Sequence, residues 1–86
     1  MITEEQVPSI INDIRRRLEQ AAQHNNVHLS VRIEESKLDD EWLYVCVEPL
    51  RPGERASEHA DLMAQIEKEL REEGIENVIL VPVIPD

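Results

Sequence analysis

The chain has 86 residues, enough for one small domain that buries roughly 60–65% of its unfolded surface. Its 41% hydrophobic and 33% charged residues suit a folded globular domain rather than a disordered one, and with Trp42 and Tyr44 as the only aromatics the core has to be aliphatic. Nineteen acids against nine bases give a net charge of −10, which repels a phosphate backbone and argues against nucleic-acid binding.

In chain order, the opening "MITEEQVPSII" is acidic and lacks the basic start and apolar run of a signal peptide. From Thr3 to about Gln23, apolar residues at Val7, Ile10, Ile11, Ile14, Leu18, Ala21 and Ala22 follow the three-and-four spacing of a helix. Thr3 is placed as its N-cap, with Gln6 three residues on and Ile2 and Val7 as a hydrophobic staple; Pro8 can shift that start. Arg15 and Glu19 are spaced as an i,i+4 pair within the one basic run, Arg15-Arg16-Arg17. "HNN" at 24–26 closes the helix, since Asn tolerates the left-handed conformation.

"VHLSVRIEE" alternates, with Val27, Leu29, Val31 and Ile33 on one side and His28, Ser30, Arg32 and Glu34 on the other. This predicts a half-buried strand. "SKLDD" reads as a polar turn. "EWLYVCVEP" is apolar on both faces, Leu43, Val45 and Val47 against Trp42, Tyr44 and Cys46, as befits a strand inside a sheet. A second helix is predicted from about Arg55 or Ser57 to Glu73, striped by His59, Leu62, Met63, Ile66 and Leu70. Gly74 is set to close it, and Ile75 to fold back onto Leu70. "NVILVPVIPD" supplies a third strand, placed at an edge by Pro82, which cannot donate to a ladder.

The expected fold is a single α+β domain, residues 1–86: a two-layer sandwich of α-β-β-α-β order, with a three-stranded mixed sheet and two helices on one face. The second strand is central, antiparallel to the first and parallel to the third, because a β-α-β unit crosses over right-handed. This element order resembles the cytosolic domain of cation diffusion facilitators and, more distantly, type II KH domains. The resemblance is one of element order: the chain has no GxxG loop and no metal motif to match, so it implies fold and not function.

Two poles of chemistry compete with an assembly role. "EPLRPGERASEH", 48–59, runs from the end of the central strand to the start of the second helix, where α/β units place ligands. Arg51, Arg55 and Ser57 there are candidates for an anion, against a plain turn capped by Ser57 or Glu58. His24, His28 and His59 fall at the same end and are candidates for a metal, with Asp86 or Asp61, against ordinary histidines. Cys46 is the one cysteine, so it forms no internal disulfide, and its mid-strand setting reads as structural rather than nucleophilic. The acids of "EESKLDDE" do not fit a calcium loop. No constellation argues for an enzyme, and no cofactor is implied. No stretch reaches the ~20 apolar residues of a membrane span, and the chain reads as cytoplasmic.

The remaining anomaly is the sheet face that two helices cannot cover. Trp42, Tyr44 and Cys46, with one alternate set of the third strand (Val78/Leu80 or Ile79/Val81/Val83), are expected to form an apolar patch there. Such a patch implies a partner: a homodimer, or another protein, where an acidic surface suits a basic partner.

Overall fold

The computed structural model describes residues 2–50, 53 and 55–83. Two helices share one core with one face of a four-stranded sheet. In order the elements are α1 (Val7–His24), β1 (Leu29–Val31), a 3₁₀ turn (Ile33–Glu35), β2 (Lys37–Asp39), β3 (Trp42–Pro49), α2 (Ala56–Glu72) and β4 (Val78–Pro82).

The stripe of α1 is buried at Ile10, Ile11, Ile14, Leu18 and Ala21. The helix starts at Val7 and not at Thr3, because Pro8 belongs in a first turn, where its missing N–H has no helical partner to lose. Residues 3–6 form a turn ahead of it. The Thr3 N–H donates to the Gln6 side chain at 3.0 Å, one half of the expected capping box, and Ile2 and Val7 pack on the same core. The Asn25 N–H closes the helix on the Ala21 carbonyl at 2.8 Å, and Asn26 takes a φ of 56°.

Every strand pairs with β3. On one edge β4 runs parallel to it, from Leu43 opposite Val78 to Val47 opposite Pro82. On the other edge β1 and β2 lie end to end, both antiparallel: Val31 is opposite Val47, and Lys37 is opposite Tyr44. The central position, the antiparallel partner and the parallel β4 follow the expected plan, but the sheet has four strands and not three: the expected first strand stops at Val31, and the expected turn after it holds an additional strand, β2. Between them five residues, 32–36, stand opposite two, 45–46. The surplus is taken up by the 3₁₀ turn, and Ser36 repairs the ladder across it. Its hydroxyl donates to the Arg32 carbonyl at 2.9 Å and accepts the Cys46 N–H at 3.0 Å.

Two corrections follow from that break. Ile33, expected in the core, is 48% exposed on the turn. The supposed polar turn at 36–40 contains β2, whose Leu38 sits opposite Leu43 and packs against the core. A two-residue hairpin, Asp40-Glu41, joins β2 to β3, with Asp40 at a φ of 54°, a conformation Asp tolerates.

In α2, Leu62, Met63, Ile66 and Leu70 are buried and His59 is half-buried. Arg55 occupies the N-cap position with extended backbone, so neither Ser57 nor Glu58 caps this helix. Its far end is the predicted left-handed closure. Gly74 has a φ of 86°, the Ile75 N–H reaches the Leu70 carbonyl at 2.8 Å, and the Gly74 N–H reaches that of Arg71 at 3.1 Å.

Arg17 joins the helices. Its guanidinium meets Asp13 one turn back at 3.2 Å, Glu69 of α2 at 2.7 Å, and Glu73. Burial works against its charge, but hydrogen bonds to Glu73, Asp13 and Glu69 more than offset this and hold its pKa above the ordinary arginine range. Asp13 also pairs with Arg16, whereas the expected Arg15–Glu19 pair does not form among the described residues. An acid preceding its base by one turn is the better-oriented arrangement.

Candidate interaction face

The parity of β3 sorts its side chains. Leu43, Val45 and Val47 are no more than 1% exposed and lie under the helices. Trp42, Tyr44 and Cys46 point to the opposite face, where no helix packs among the described residues. Trp42 is 42% exposed, while Tyr44 and Cys46 are half-buried. Cross-strand partners share a face, so the registers place Ile79 beside Tyr44 and Val81 beside Cys46. Of the two alternate sets open for the last strand, Val78 and Leu80 are the buried one and Ile79 and Val81 the half-buried one.

The other edge of this face is polar. Lys37 stands opposite Tyr44, Asp39 opposite Trp42, and Ser30 opposite Glu48. Arg32 pairs with Glu35 at 3.2 Å and with Glu48 at 3.4 Å. Beside these, the Cys46 thiol donates to the Glu35 carbonyl at 3.3 Å. That contact ties the thiol to the 3₁₀ turn, a structural engagement of the side chain. The result is an apolar band over β3 and β4 with a charged margin along β1 and β2. Sequence parity located Trp42, Tyr44 and Cys46 on this face. It missed Lys37 and Asp39, because one apolar residue, Leu38, is too little signal for a strand.

The other candidate residues are more scattered. Arg51 and Asp86 lie outside the described residues. Arg55 and Ser57 are exposed at the start of α2. His24 ends α1 on the surface, and the His28 carbonyl accepts the Leu50 N–H at 2.9 Å, which sets His28 at the end of β3. His59 follows in the first part of α2. Among the described residues, no three or more His, Cys, Asp or Glu side chains converge as a metal-binding group. At the opposite end of the sheet a cleft of about 630 Å³ separates the start of α1 from the α2–β4 connection, lined by Ile2, Gln6, Ser9, Ile75 and Asn77 among others. Its titratable lining residues are Glu5 and Glu76, both exposed.

Comparison with known protein families, characterised proteins and solved structures finds no match to this chain. Among the described residues no helix is long and apolar enough to cross a membrane.

Proposed function

We propose that this protein is a small acidic assembly module, not an enzyme, that pairs with a second copy of itself through the helix-free face of its sheet. The observation that carries this reading is the apolar band of Trp42, Tyr44, Cys46, Ile79 and Val81 on a face without a helix over it. Monomers seldom leave such a band in water, and Trp and Tyr are the side chains that most often dominate the centre of a contact. A two-fold pair is the simplest closed way to cover it, since one patch serves both partners. The face also suits copies that each carry −10, because Arg32 is already offset there by Glu35 and Glu48 and the centre is uncharged. A lone cysteine, tied to a backbone carbonyl, is at home in a reducing, cytoplasmic setting.

Sedimentation equilibrium from micromolar to millimolar concentration tests the proposal. The expected result is a concentration-dependent dimer without added metal or cofactor. A monomer throughout that range overturns it, and points the same face toward a different protein.

A further inference from the structure

We infer that Lys37 and Asp39 set the register of that dimer, an inference that rests on the self-association proposed above. Both side chains are exposed on the helix-free face, two residues apart on β2, hence separated by about 7 Å along the strand. They carry opposite charges, and neither makes an ion pair among the described residues, whereas Arg32 nearby is engaged twice. Two unpaired opposite charges on one strand are complementary to themselves once the strand is reversed.

The cross-strand register extends the argument to the aromatics. Lys37 is opposite Tyr44 and Asp39 is opposite Trp42, so the four side chains form two parallel rows across β2 and β3. A two-fold axis lying in the interface, running across the strands between those rows, lays each strand antiparallel over its own copy. Lys37 then meets the partner's Asp39, and Tyr44 meets the partner's Trp42, twice each by symmetry. An axis along the strands would instead bring the charged β2 margin over the partner's β4, setting Lys37 against the apolar Ile79 side and leaving its charge desolvated without a partner. The charged margin therefore selects between two ways of covering the same apolar band. Affinity comes from the aromatics, and orientation from the charges.

Charge exchange tests this without touching the core, because positions 37 and 39 are exposed. Lys37→Glu sets a carboxylate against the partner's Asp39, and Asp39→Lys sets an ammonium against the partner's Lys37. Each variant alone is expected to dimerise on the order of tenfold more weakly than the unmodified chain at low salt, since like charges then oppose each other twice. An equimolar mixture of the two is expected to recover the original affinity, because both contacts in the mixed pair are again between opposite charges. Native mass spectrometry distinguishes mixed from like pairs, and circular dichroism verifies that both variants are folded. If the unmodified chain dimerises but each variant does so equally well, or if the mixture is no tighter than the variants alone, the register is wrong while self-association stands. If the unmodified chain stays monomeric, both fall together.

Discussion

The Glu67 carboxylate of α2 accepts the backbone N–H of Leu80 in β4 at 2.9 Å. This bond lies on the outer side of the sheet. The Asn77 carbonyl accepts the Leu43 N–H at 2.8 Å and the Val83 N–H donates to the Val47 carbonyl at 2.8 Å, so alternate residues of β4 are turned toward β3, and Val78, Leu80 and Pro82 are turned away from it. Of these outward positions, the Leu80 N–H is taken by a helix side chain and Pro82 has none to offer. An exposed strand edge invites another strand, and this one is blunted by a carboxylate and a proline.

Restoring that edge should therefore produce association of a different kind. In Glu67→Ala combined with Pro82→Val, β4 gains open outward N–H groups at 80 and 82, and the chain is expected to aggregate with rising β signal in infrared spectra. Glu67→Gln keeps an acceptor oxygen and is expected to remain dispersed. Unchanged light scattering in the double variant would show that edge protection lies elsewhere.

Arg17 should be the most sensitive polar residue. Its removal leaves Glu69 and Glu73 without their shared cation and Asp13 with Arg16 alone. Two of these acids are substantially solvated, with Glu69 36% and Glu73 51% exposed, so the loss falls below that of a fully buried pair. Arg17→Ala is expected to cost about 2 kcal/mol by urea unfolding, less in high salt. Arg17→Lys should recover only part of this, because an ammonium cannot span three carboxylates as the planar guanidinium does. Equal stability of the lysine variant would count against the fork geometry.

What could be read from the sequence was what is local. The α1 and α2 stripes, the Asn26 and Gly74 closures and the two-sided β3 depend on residues a few positions apart, and each appears near its expected place. Ile33 misled because "VHLSVRIE" alternates as well as a strand does. The turn there is decided by the bond between Ser36 and Cys46, ten residues away, and spacing cannot register it. Arg17 was hidden for the same reason, its α2 partners lying 52 and 56 residues along the chain. Of the candidate interaction face, the aromatic row followed from parity, while the charged row waited on β2.

Ser36 gives a direct check on that break. Ser36→Ala removes the acceptor of the Cys46 N–H and a donor to the Arg32 carbonyl together. The expected loss is about 1–2 kcal/mol, with hydrogen exchange at the Cys46 amide accelerating more than at Val45 or Val47. Uniform acceleration across β3 would mean that Ser36 acts on global stability alone.

At Gly74 the cost of a side chain is conformational. A Cβ there meets nothing within 4 Å, but φ is 86°. Gly74→Ala is therefore expected to cost about 1 kcal/mol and Gly74→Asn less, since Asn enters left-handed backbone more readily. Thermal unfolding of the two variants measures the order, and a costlier Asn would contradict it.

Trp42 offers both the decisive substitution and the reporter for self-association. It is the only tryptophan, it is 42% exposed, and it lies outside the buried core. Its emission in the monomer should be that of a partly hydrated indole. Contact with a second copy should remove that water and shift the emission to shorter wavelength, so dilution through the dissociation constant is expected to return it to longer wavelength. Trp42→Ala removes the largest side chain of the band, and truncating a central aromatic typically costs about 2 kcal/mol or more, which weakens association roughly thirtyfold. Tyr44→Glu places a charge at the same centre and should abolish the dimer outright. Because both side chains face away from Leu43, Val45 and Val47, the helical signal should survive each change. Emission that stays fixed across the dilution series while the mass doubles would place the contact on another surface, and the aromatic band would then need a different occupant.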